Sequence, residues 1–89
     1  AEQESQVIGL CRLLLNRANW KKIGAVLRNL PEGAEPESIR HAVLGYMTSV
    51  LSKEKNEQAY ICIDAFKEPF FNSGRAGLVA ACFEATVIE

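Results

Sequence analysis

Few side chains in this sequence have the type and spacing to do chemistry. His41 is the only histidine, and Glu37, four residues earlier, is the only carboxylate within one helical turn of it. A general base needs a partner to position it and a substrate proton in reach. The spacing reads instead as a contact between neighbouring turns on a helix surface. Cys11, Cys62 and Cys82 are far apart in sequence, odd in number and free of any CxxC spacing. That pattern offers no zinc or redox motif, and a thiol nucleophile would need an adjacent base. With apolar neighbours such as Leu10 and Phe83, the three read as small buried hydrophobes in a reducing compartment.

Ser73-Gly-Arg-Ala-Gly77 is the segment most like a phosphate site, because it opens a helix and would expose backbone N–H groups. It lacks the GxxxxGK[ST] pattern and follows no strand, so it reads as a glycine-relieved helix start. Glu35, Glu37, Glu54 and Glu57 read as solvated helix-terminal charges, not as an acid/base pair. Arg12, Arg17, Lys21, Lys22 and Arg28 form the one basic cluster. Offset by Glu2, Glu4 and the acidic 31–37 loop, it reads as a solvated face, with a partner-protein contact or weak phosphate contacts as alternatives. No catalytic residue, metal site or cofactor is expected.

Composition agrees with this silence. The chain has 89 residues, 48% apolar and 24% charged, with ten Lys/Arg against eleven Asp/Glu. That is enough for one domain with one modest core and too apolar for a disordered tail. No apolar run approaches the roughly 18 residues of a membrane span. A near-neutral balance argues against nucleic-acid binding by charge alone.

The elements that must position these residues are five helices. The first, about Glu4 to Arg17, spreads Val7, Ile8, Leu10, Cys11, Leu13, Leu14 and Leu15 over roughly 220° of its surface. Asn19 is placed to cap a second helix, Trp20 to Leu30, with Trp20, Ile23, Leu27 and Leu30 on one stripe. Here Trp20 is expected in the core or at its edge. Pro31 to Pro36 is a loop, and Pro36 opens a third helix that runs to Lys53. Its apolar arc of roughly 200°, from Ile39 to Leu51, is interrupted only by Arg40. Its remaining face carries His41, Gly45, Thr48, Ser49 and Ser52. Asn56 can cap a fourth helix, to about Lys67, built on Ala59, Tyr60, Ile63 and Phe66; Pro69 stops it. A fifth, about Gly74 to Ala85, carries Leu78, Val79, Cys82 and Phe83, with Asn72 or Ser73 as its cap. The expected fold is an all-α bundle.

Burial then points to function. A surface helix needs an apolar stripe of about 100° or somewhat more, and the first and third helices each offer about twice that. In a small bundle this predicts apolar surface left over for a partner. Leu10, Leu13 and Leu44 are the expected apolar contacts. Gly45, Thr48, Ser49 and Ser52 would let another helix approach closely.

The residues Asn19-Trp20-Lys-Lys-Ile23…Val26-Leu27, Pro36-Glu-Ser-Ile39-Arg40…Val43-Leu44-Gly45-Tyr46 and Phe66-Lys-Glu-Pro-Phe70…Ser73-Gly-Arg-Ala-Gly-Leu78-Val79 carry a family resemblance. Over about Val7 to Ala85 the chain resembles the C-terminal domain of phage and bacterial clamp-loader subunits related to the gamma/tau subunit of DNA polymerase III. The resemblance implies a helical collar domain that joins other clamp-loader subunits, or copies of itself, in the cytoplasm. ATP binding and hydrolysis belong to preceding modules in that family, and their catalytic residues have no counterpart here. Residues 1–6 would then be the stump of an interdomain linker and 7–89 the domain. An alternative is a helical adaptor that takes a partner helix or peptide in an apolar groove.

Overall fold

The computed structural model describes residues 2–87. It is all-α: α1 (Glu2–Leu15), α2 (Trp20–Arg28), α3 (Pro36–Lys53), α4 (Glu57–Phe66) and α5 (Arg75–Val87), with no strand among the described residues. No helix is long and apolar enough to cross a membrane. α1 begins at Glu2, so residues 2–6, expected as a linker stump, are helical. Gln6 already takes part in packing, its Nε2 donating to the Asn29 carbonyl at the end of α2 (3.0 Å).

The starts of the helices follow local chemistry. Asn19 and Asn56 sit in extended backbone, and their side chains accept from the N–H groups of Lys22 and Ala59, satisfying donors the first turn leaves unpaired. Pro36 opens α3, where its missing N–H is no loss. α1 stops differently. Arg17 takes a left-handed φ of 51°, its N–H donates to Leu14 O, and Ala18 N–H donates to Leu13 O. This is the paired-carbonyl helix stop usually built on glycine. An arginine there is strained by about 1 kcal/mol; its Nε donates to Gln58 Oε1 at 2.6 Å, which holds the strained residue in place.

One core joins all five helices. Leu10, Leu14, Ile23, Ile39, Val43, Met47, Ala59, Cys62, Phe66, Leu78 and Cys82 are buried in it. α1 packs against all four other helices, α3 against α1, α4 and α5, and α2 against α1 and α5 alone. Because both α1 and α3 are central, most of their wide apolar arcs is covered within the monomer. Leu13, Leu15, Leu44, Tyr46, Val50 and Leu51 are half-buried against the core. Ile8 is the one large hydrophobic residue of these two helices that stays exposed.

Two expected stripes shift. On α4, Tyr60 points out and Gln58 is buried with Ala59, Cys62 and Phe66. On α5, Leu78 and Cys82 face inward with Ala81 and Ala85, two of the four alanines (with Ala76 and Ala80) expected to pack, and only Phe83 leaves the expected stripe for the surface. Where α4 and α5 meet their neighbours most closely, the inward positions are small or hydrogen-bonded and Tyr60 and Phe83 lie at the rim, while Phe66 at the end of α4 stays inside.

Carbonyls at the helix ends are met by long polar side chains from other helices. Gln58 Nε2 donates to Leu14 O of α1 (3.0 Å) and Ala85 O of α5 (2.7 Å). Arg40 Nη1 donates to Phe66 O and Lys67 O at the end of α4 (3.0 and 3.2 Å). Arg75 Nη2 donates to Leu27 O of α2 at 2.8 Å. Buried polar groups are tolerated only when paired, and here each pairing also fixes the position of one helix against another.

Candidate protein-interaction surface

The residues whose types could in principle do chemistry are occupied structurally. Cys11, Cys62 and Cys82 are buried free thiols. Burial pushes them up to about 12, 11 and 12 respectively, with mutual thiolate repulsion adding to the effect at Cys11 and Cys82. At such values the thiolate form is scarce at neutral pH. Among the described residues no three His, Cys, Asp or Glu side chains are grouped to hold a metal ion. His41 is exposed, with Nε2 3.6 Å from Glu37 Oε1, the expected contact between turns.

Ser73–Gly77 makes the α4–α5 turn. Gly74 has a φ of +56°, a conformation that favours glycine, and its N–H donates to Phe70 O at 2.7 Å. The Ser73 hydroxyl and the Phe70 ring fill the space where any side chain at Gly77 would go. Arg75, the segment's one cation, turns back to α2. Gly74 therefore serves the tight turn, and Gly77 lets the first turn of α5 pack against Ser73 and Phe70.

Arg40 is the residue whose role the sequence concealed. It lies within the apolar arc of α3 and is 7% exposed. Its Nε and Nη2 donate to the Glu37 carboxylate at 2.9–3.1 Å, while Nη1 takes the carbonyls that end α4. Glu37 also accepts the Phe70 N–H. The Arg40 hydrogen bonds, followed by that of Phe70, hold the Glu37 carboxyl below its ordinary range. This knot ties the start of α3 to the α4–α5 turn. Its only advance signal was an arginine, with a carboxylate three residues earlier, on an otherwise apolar face.

The expected interface residues divide into two groups. Leu10 is wholly buried and presents nothing to a partner; this corrects the expectation, because that side of α1 is covered by the other helices while Ile8 and Arg12 keep its opposite side exposed. Leu13 and Leu44 are half-buried against the core and offer only an edge. Gly45, Thr48, Ser49 and Ser52 are exposed together on the outer face of α3. A side chain added at Gly45 would meet nothing within 4 Å.

The largest exposed hydrophobic residues lie elsewhere. Phe71 in the α4–α5 turn is 81% exposed, Tyr60 on α4 59% and Phe83 on α5 48%. Phe83 meets Trp20 edge to face, with ring centroids 5.3 Å apart, so Trp20 sits at the core edge as expected. Phe71 had a faint signal: of two adjacent rings in a Pro-bounded turn, Phe70 goes inward against Phe66, which leaves the next one outside. α1 and α3 also border a groove of about 350 Å³, lined by Val7, Ile8, Cys11, Ile39, Ala42 and Tyr46 with Glu4 and Ser38. What these surfaces offer is apolar and aromatic area for packing. Comparison with protein-family models, curated proteins and solved structures finds no match to this chain.

Proposed function

We propose that this chain is a non-catalytic oligomerisation domain, the collar module of a sliding-clamp loader related to the gamma/tau subunit of DNA polymerase III. In this reading it acts in DNA replication in the cytoplasm and joins copies of itself or other clamp-loader subunits. It uses no cofactor and makes no direct contact with nucleic acid; ATP hydrolysis belongs to other modules of the parent. The family resemblance in the turn and packing residues supports the assignment. The observation that carries the oligomerisation itself is the outer face of α3. Gly45, Thr48, Ser49 and Ser52 together forgo roughly 2 kcal/mol of helix propensity relative to alanine. The monomer has no packing use for this economy of side chain, because the space beside Gly45 is open. A helix from a partner, approaching to 8–10 Å between axes, does.

The test is Gly45→Arg, at an exposed position where the new side chain disturbs no monomer contact. Sedimentation should show weakened assembly at unchanged helical circular dichroism. Equal assembly of variant and wild type would remove this face from the interface.

The apolar groove between α1 and α3 favours one second reading, an adaptor that seats a partner helix. A monomeric domain that binds an amphipathic helix, and loses it in Ala42→Arg, would select that reading.

A further inference from the structure

The charges of this chain are segregated along its length. Residues 12–28 hold Arg12, Arg17, Lys21, Lys22 and Arg28 and no acidic residue, while the rest of the chain carries five Lys/Arg against eleven Asp/Glu, a net of −6. All five basic side chains are exposed, and none makes an ion pair among the described residues. The basic face is centred on α2. Lys21 and Arg28 are two turns apart on one side of that helix, with the small Ala25 between them. The Arg28 guanidinium lies beside Gly24, close enough that a Cβ there would touch it at 3.3 Å.

α4 presents the opposite surface. Glu57, Tyr60 and Asp64 recur at i, i+3 and i+7, and all three are exposed. Lys67 is bonded to Asp64 at 3.0 Å and is influenced by Tyr60, which places these side chains on one face. With Glu68 just beyond, the stripe is acidic and has an aromatic ring at its centre. α2 and α4 both pack on α1 and α5 but never touch each other, so the two stripes lie on separate sides of the domain.

We infer that the α2 face is a docking site for the α4 face of a second copy of this chain. Glu57 and Asp64 meet Lys21 and Arg28, and the Tyr60 ring lies over the small residues between the two cations, where it can accept a cation–π contact. Since the two surfaces differ and sit apart, the contact is head-to-tail and propagates to a ring or filament. A collar needs that symmetry, and the inference rests on the oligomerisation reading. It adds a charged, salt-sensitive contact to the small-residue one at Gly45.

The test uses two double variants of the whole chain, K21E/R28E and E57K/D64K, with all four positions exposed. Helical circular dichroism checks that each folds. In sedimentation velocity at about 10 mM NaCl the wild type should assemble. At about 500 mM NaCl, where screening shortens electrostatic reach to a few ångström, its apparent Kd should rise at least about tenfold. Each variant alone should be monomeric, since its two docking faces then carry like charge. An equal mixture should recover assembly, because each acidic face again finds a basic one. Y60S should weaken assembly while keeping its salt dependence. Variants that sediment as the wild type does, or a mixture that stays monomeric, overturn the inference. If Gly45→Arg still dissociates the wild type in that case, the oligomerisation reading stands without it. A wild type that is monomeric at both salt concentrations sinks both.

Discussion

The two halves of α3 are built to opposite ends. In the first, Glu37 and Arg40 are locked to each other, to the carbonyls that close α4 and to the Phe70 N–H. In the second, the outer face is Gly45, Thr48, Ser49 and Ser52, all exposed and bonded to nothing outside the helix among the described hydrogen bonds. The lesson lies in how each half uses polar atoms. Where Arg40 and Glu37 are buried, their polar atoms are paired and the contacts fix helix positions. Where the face is open, Gly45, Thr48, Ser49 and Ser52 stand in solvent, with open space beside Gly45. The first half accounts for itself by the fold, and the second is the part on which the proposed oligomerisation rests.

This contrast can be broken at four places. The largest effect is expected from Arg40→Met, which fills the space but leaves the Phe66 and Lys67 carbonyls without their donor. Unfolding in urea should show a loss of about 2–4 kcal/mol; a neutral result would mean that α4 is held by packing alone. Gln58→Leu removes the Nε2 donor from Ala85 O and from Leu14 O, which keeps the Arg17 N–H, and the acceptor of Arg17 Nε; it should lose about 2–3 kcal/mol. That loss should be the same at pH 4 and pH 7, because the amide does not titrate.

The acid response separates the two knots further. Glu37 is held below its ordinary value of 4.5 by Arg40 and Phe70. A carboxyl depressed in the folded state adds stability that is complete above its unfolded pKa and disappears as pH falls through the folded one. The wild type should therefore lose stability below about pH 4.5, and Glu37→Gln should be less stable than it at pH 7 but flatter through the acid range. Parallel melting curves against pH would remove the charge from the account. The smallest effect tests the open half: Gly45→Ala should stabilise the monomer by up to about 1 kcal/mol, with no clash to offset it. A loss of stability there would show that Gly45 already serves the monomer.

Much of the fold was legible in order of residues. α3 begins and ends where its proline start and apolar period place it. Asn19 and Asn56 cap the helices assigned to them, because capping depends on three or four adjacent residues. The wide arcs of α1 and α3 were also visible, but their consequence was not. Whether such an arc is surplus depends on how many neighbours surround it, and both helices proved central, which buried Leu10 and half-buried Leu13 and Leu44. Of the candidate interface, the part that stays on the surface is the small polar one, Gly45 to Ser52.

The order of residues alone determined the helices, the Asn19 and Asn56 caps and the segregation of charge, because these depend on near neighbours or on composition; the expected Asn72 or Ser73 cap of α5 gave way to Gly74, after which the helix starts at Arg75. Tertiary packing decided which side of α4 and α5 faces inward, so that Gln58 is buried while Tyr60 and Phe83 are not. It also decided that Arg40 belongs inside, since a buried guanidinium needs acceptors from α4 that lie 26 and 27 residues away in sequence. A contact across that distance is invisible to any local pattern, and only the folded chain supplies it.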